Sequence, residues 1–221
     1  MLMKRIAGLS LRLRGAIPAA LWTWGLLWVL ATAAILFGIT RLDHPLALLL
    51  RERTTPSREA MLLVRLPEAI AAVAILGTVA LGAWHLGRAR LRGAWRMAFF
   101  AGLGLCIALA VKSELKPLFG RVAPEAWFRH QSAPFRNFHL LHPGSFPSGH
   151  MVVLGVLAAF AWPLGLAARL VTVLGCLATG AALMIVEAHY LTDLAAGLLL
   201  GASIGVACRA AARRTDPVAS S

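Results

Sequence analysis

The chain has 221 residues, of which 59% are hydrophobic and only 14% charged, with a mean hydropathy of +0.76. A soluble domain carries charge on about a quarter of its residues, so this excess of apolar side chains has to face lipid. The net charge of +13 suggests a nucleic-acid binder at first sight. However, the cations sit in short stretches between long apolar runs, with no nucleic-acid module beside them.

A helix needs ~20 apolar residues to cross a ~30 Å hydrocarbon core. Six segments meet or approach that length: residues 17–40, 67–87, 97–115, 149–168, 170–188 and 191–208. The first follows a basic stretch, as a signal peptide would, but its apolar run exceeds the ~7–15 residues of a signal h-region and reads as a retained helix. Next comes a connection of mixed sign, from Arg41 and Asp43 through Arg51, Glu52, Arg58 and Glu59 to Glu68, whose apolar stretch 46–50 is expected to form an interfacial helix. The alternate connections are basic. They hold Lys4, Arg5, Arg12 and Arg14, then Arg88, Arg90, Arg92 and Arg96, then Arg169, then Arg209, Arg213 and Arg214, against the acid Asp216. The positive-inside rule therefore puts both termini in the cytoplasm.

The second outer connection, 116–148, is rich in proline and holds Trp127 and Phe128. Long loops in compact domains are functional or disordered, and these rings favour the headgroup layer, so an ordered interfacial loop is expected. Cys106, Cys176 and Cys208 lie in or beside apolar stretches without metal-ligand spacing and read as packing residues. No repeat or linker interrupts the chain. The expected fold is all-α, one integral membrane domain over residues 1–221, built as a bundle of about six transmembrane helices.

Polar residues that interrupt the apolar runs collect at the outer ends: Lys112, Glu114 and Lys116, then Ser148, Gly149 and His150, then Glu187, His189 and Asp193. A charge at the bilayer centre costs ~2.5–3.5 kcal/mol on insertion scales, so a shared polar pocket in one leaflet is expected. Phe146-Pro147-Ser148-Gly149-His150 is a turn feeding straight into a helix. Unpaired N–H groups and the helix dipole make such a start a site for phosphate oxygens, although Ser148 could equally be an ordinary N-cap. Asp193 follows His189 at helical spacing, where a carboxylate can fix the imidazole tautomer and free the other nitrogen to attack. Alternatively Thr192 or Asp193 merely caps the next helix. The chain offers no acid-rich set to match a metal site.

Taken together, the stretch from Lys116 to Pro124, the Pro147-Ser148-Gly149-His150 turn and the run from His189 to Asp193 resemble the signature of the type 2 phosphatidic acid phosphatase family, over about residues 97–201. The resemblance implies a helical membrane enzyme that cleaves phosphate from lipids without metal or other cofactor. It implies His189 as nucleophile, forming a phosphohistidine, with Asp193 orienting it and His150 donating a proton to the leaving group. Lys116, Ser148 and the backbone at Gly149 would hold phosphate oxygens.

Two positions depart from the family pattern. Where the first motif has Arg-Pro, this chain has Ala123-Pro124, and where the third motif has an arginine ahead of its histidine, it has Leu183. The segment from Gly120 through Glu125 to Trp127 resembles a family branch with Gly-Arg ahead of Pro-Glu, so Arg121, helped by Lys112, is expected to supply the lost phosphate-binding charge. Arg129, Arg136, His130, His139 and His142 are further candidates, each equally readable as a headgroup-facing loop residue. Glu187 is expected to pair with a cation such as Lys112 or Arg121, or to take up a proton.

The expected function is hydrolysis of a lipid phosphate or diphosphate at the extracytoplasmic face of a bacterial cytoplasmic membrane. Undecaprenyl diphosphate comes first as substrate, ahead of phosphatidate, phosphatidylglycerophosphate and lipid A phosphates. A phosphotransferase of the same family and a catalytically weak lipid-phosphate binder or transporter are the alternatives. The partners expected are the bilayer and its lipid phosphate, with no nucleic acid. Nothing in the sequence speaks to the oligomeric state.

Overall fold

The computed structural model describes residues 2–87, 91–130, 138–142 and 144–214, with the backbone alone over 2–21. Among the described residues eight α-helices run in chain order: α1 (Leu2–Arg41), α2 (Asp43–Arg53), α3 (Arg58–Gly87), α4 (Gly93–Phe119), α5 (Pro124–His130), α6 (Gly149–Ala161), α7 (Leu166–Ile185) and α8 (Leu191–Arg214). The described residues form no strand, only one isolated bridge between Arg121 and Phe138. Two compact units divide the chain, Met1–Phe37 and Gly38–Ser221. The first is the greater part of α1, with Trp22, Leu26, Val29, Leu30 and Phe37 exposed. The second carries everything described below.

Among the described residues five helices are long and apolar enough to cross a membrane: Trp22–Arg41 within α1, and α3, α4, α7 and α8. Within the second unit, Val73, Leu76 and Val79 of α3 and Leu170, Val171, Leu174 and Leu177 of α7 are exposed. Such faces are stable against acyl chains and costly against water. The protein is therefore a polytopic membrane protein.

The fourth expected span, residues 149–168, forms a helix shorter than its apolar run. α6 ends at Ala161 and tightens into a 3-10 turn at Trp162–Leu164, where Pro163 supplies no N–H. Gly165 then turns the chain at φ 112°, ψ −177°, a conformation open to glycine, and α7 begins at once. At its far end α7 stops at Ile185 rather than reaching residue 188, because Glu187 adopts φ 57°. His189 consequently stands on a non-helical linker, residues 186–190, and not on the end of a helix. The stretch around 46–50 forms α2, and the loop after α4 contributes the short helix α5.

α6 packs against α8 along a stripe of small residues. A Cβ on Gly201 would lie 2.0 Å from the Val152 carbonyl oxygen, and one on Gly197 would lie 2.4 Å from that of Ser148. In lipid no hydrophobic force drives helices together, so backbone approach through small residues supplies the packing. Leu105 and Ala108 of α4 fill the space beside Val152, Val153 and Val156. The contact also brings the start of α6 onto α8, since the Ser148 N–H donates to the Asp193 carbonyl at 3.0 Å. Gly201→Leu should lower thermal stability in detergent by at least the ~1–3 kcal/mol of core overpacking. Gly77→Leu, where nothing lies within 4 Å of a new Cβ, should leave the melting curve in place.

Candidate active site

Four elements converge around two imidazoles. His189 lies on the linker, and its Nδ1 is 3.4 Å from Oδ2 of Asp193 in the first turn of α8. Asp193 is fully buried, and the same Oδ2 accepts from the Tyr190 N–H at 3.1 Å. His150, the second residue of α6, presents its ring with the centroid 6.1 Å from that of His189 and the planes 72° apart. Its Nε2 is 3.1 Å from Oε1 of Glu68 on α3.

A cavity of about 330 Å³ opens onto both rings. Lys112, Lys116, Gly149 and Glu68 complete its polar side, while Ala71, Ala72, Ile75, Leu109 and Val153 form an apolar side. Lys112 and Lys116 stand one turn apart on α4, and the Lys112 side chain crosses Gly149 so closely that a Cβ there would lie 3.1 Å from Lys112 Cδ. The Ser148 side chain is fully buried, and its Oγ has no hydrogen-bond partner among the described residues. It sits behind Gly149 and does not line the cavity wall. Among the described residues, no three His, Cys, Asp or Glu side chains are grouped as metal ligands would be.

Arg121 departs from expectation. Its side chain is buried and does not line the cavity. Nη1 donates to Asp193 Oδ1 at 2.6 Å and to Thr192 Oγ1 at 2.7 Å, and Nη2 donates to Asp43 Oδ2 at 2.7 Å. Asp43, the first residue of α2, also accepts from the Thr192 N–H at 3.1 Å and from the Thr192 hydroxyl. The guanidinium stacks on Tyr190, with Cζ 4.3 Å from the ring centroid. Both ends of the fork are thus taken by protein carboxylates, so the guanidinium faces Asp43 and Asp193 and not the cavity. The local chain explains the burial. Gly120 ends α4 at φ 56°, with His139 packed where a Cβ would stand, so the following residue turns inward.

Burial pushes the Tyr190 phenol well above its ordinary range, so this residue stays neutral at working pH. Glu187 pairs with Arg51 of α2 at 3.4 Å, not with Lys112 or Arg121. Arg129 pairs with Glu125 on the surface of α5. His130, His139 and His142 do not line the cavity, and Arg136 lies outside the described residues. Cys106, Cys176 and Cys208 are free thiols. Sequence reasoning missed Asp43 and Glu68, which looked like members of a mixed-charge outer loop, and Tyr190, which looked like a spacer. The available signals were Asp43 just after the first apolar run and Glu68 beside Pro67 at the start of the second.

The fold and this cavity define an all-helical, multi-pass membrane protein with two histidines and two lysines gathered around one cavity. Residues 93–216 match the PAP2 superfamily, and the chain belongs to it. The crystal structure of a transmembrane PAP2-type phosphatidylglycerolphosphate phosphatase from Bacillus subtilis is similar to this chain. The two share 16% identity over 88% of this chain and 96% of that one, with a TM-score of 0.63. No curated protein matches the chain.

Removing Arg121 leaves two buried carboxylates facing each other, a loss of ~3–5 kcal/mol for a broken buried pair. Arg121→Ala should therefore lower the melting temperature in detergent steeply, and Arg121→Lys should not restore it, because one ammonium cannot span both carboxylates. A phosphate-binding role would instead raise KM and leave the melting curve unchanged.

Proposed function

We propose that the protein hydrolyses a lipid phosphate or diphosphate through a phosphohistidine on His189. The observation that carries this reading is the single cavity shared by two imidazoles, two ammonium groups and an apolar wall. Membership in the PAP2 superfamily supports phosphatase chemistry. A water-soluble phosphate ester needs no apolar wall, whereas a lipid phosphate presents an anionic head and a greasy stem to the two sides of this cavity.

In the proposed first half-reaction the free nitrogen of His189 bonds to phosphorus as the bond to the lipid oxygen breaks. The departing electron pair goes to that oxygen, which takes a proton from His150. In the second half-reaction water bonds to phosphorus, gives its proton to His150, and the phosphorus–nitrogen bond breaks. Lys112 and Lys116 neutralise the phosphoryl oxygens, the larger part of the work in phosphoryl transfer. The helix start at Gly149 adds N–H donors, and Ser148 Oγ is a further donor if the turn opens to substrate. Asp193, held by Arg121 and the Tyr190 N–H, fixes the His189 tautomer.

The two lysines, one turn apart, suit a diphosphate, so undecaprenyl diphosphate heads the substrates to be compared. Phosphatidylglycerophosphate, phosphatidate and lipid A phosphates follow. The basic inner loops put the termini in the cytoplasm and this cavity on the extracytoplasmic side of the bacterial cytoplasmic membrane.

Purified protein in detergent should release inorganic phosphate from at least one of these lipids in excess EDTA, and His189→Ala should release at least ~10³-fold less, as loss of a nucleophile costs. Full activity in His189→Ala, or dependence on added metal, would contradict the reading. Labelled phosphate appearing in a second lipid instead of in solution would make the protein a phosphotransferase. Because His189 must be neutral to attack and His150 protonated to donate, kcat/KM should follow a bell against pH. Tyr190, with its phenol held neutral by burial, adds nothing to the alkaline limb.

A further inference from the structure

We infer that Glu68 is a positioning residue for His150, the carboxylate half of a second histidine–acid pair; the inference rests on the proposed hydrolytic role of the cavity. Glu68 belongs to α3, which precedes the family-matched residues 93–216, so it is contributed from outside the segment that carries the family motifs. Its Oε1 lies 3.1 Å from His150 Nε2, closer than Asp193 lies to His189 at 3.4 Å. The two pairs face each other across the ring separation of 6.1 Å.

The surroundings of His150 show why a carboxylate is needed there. From α4 it faces Lys112 and Lys116, from the linker His189, and behind His189 the buried Asp193, whose charge is already engaged by Arg121. A ring that must carry a proton therefore looks onto two ammonium groups and another imidazole. Among the residues lining the cavity, Glu68 is the one acid that opposes them. At 3.1 Å Glu68 acts on the charge of the ring; the approach lacks hydrogen-bond geometry, and His150 Nε2 has no hydrogen-bond partner among the described residues. Asp193 is sealed in the core, but the Glu68 side chain is 69% exposed against 15% for His150.

A residue that places the proton donor matters most when the leaving oxygen is a poor leaving group. Alkoxide departure from an alkyl lipid phosphate needs that proton, whereas phenolate departure from p-nitrophenyl phosphate does not. Glu68→Gln and Glu68→Asp should be compared with wild type on a lipid monophosphate and on p-nitrophenyl phosphate in the same detergent. Glu68→Gln should lower kcat on the lipid at least ~10-fold, below the ~10²–10⁴ expected for loss of the acid itself. KM should stay within about threefold, as should turnover of the aryl ester, for an interaction made in the transition state. Glu68→Asp should recover part of the lipid rate. Equal losses on both substrates, or no loss on either, would overturn the inference, and melting curves of both variants separate misfolding from the effect sought. A wild type without phosphatase activity, or an active His189→Ala, would bring down the hydrolytic reading itself and this inference with it.

Discussion

The arrangement hangs on one buried guanidinium. Arg121 sits between Asp43 and Asp193, and Thr192 bonds to both Arg121 and Asp43, so that α2, the turn after α4 and the start of α8 are tied at a single point. Burying one cation with two anions is costly unless the hydrogen bonds are made, and here both carboxylates accept several. The stacked Tyr190 ring and Phe138 close the pair off from solvent. The consequence for the cavity is indirect. Asp193 is held in place, and the imidazole beside it is presented on a linker whose Ala188 and His189 amides bond back to the Leu183 carbonyl at the end of α7.

The second constraint is steric. Three glycines of α8, at 197, 201 and 205, let α6 approach until its backbone carbonyls touch the facing helix, and Gly155 returns the favour from the other side. This sets the height of His150 against Asp193 and hence the gap between the two rings. Lys112 and Lys116 reach the same gap because Leu105 and Ala108, lower on α4, pack into the same layer. Packing in the membrane and polar geometry at its edge are thus one problem. A helix that slid by a residue would carry a histidine out of the cavity.

Much of the fold was legible from composition and run length. Six apolar segments correspond to α1, α3, α4, α6, α7 and α8, because lipid demands long uninterrupted runs. Their ends were less legible. Pro163 and Gly165 punctuate the sequence plainly, yet the apolar run continues through them, and hydropathy alone cannot see a turn made of apolar residues. The glycine stripe at 197, 201 and 205 was also there to be read as a close-packing signal. Within the cavity, Lys112, Lys116, Gly149, His150 and His189 could be gathered from three distant islands by their position at helix ends. The role of Arg121 could not, since an arginine reads the same whether its partner is a phosphate or a pair of aspartates more than seventy residues away. Glu68 and Asp43 were hidden for the same reason: their partners come from other helices, and charge on a loop says nothing about which way it turns.

The central claim is that a covalent bond forms between phosphorus and His189. It is tested most directly by mixing the protein with a lipid phosphate carrying labelled phosphorus, quenching in base within the first turnover, and mapping the label by mass spectrometry. The account predicts an acid-labile phosphoryl group on the peptide containing His189, absent from His189→Ala and accumulating in a His150→Ala variant on an aryl ester. Label found on another residue, or none at all in a protein that releases phosphate, would contradict it.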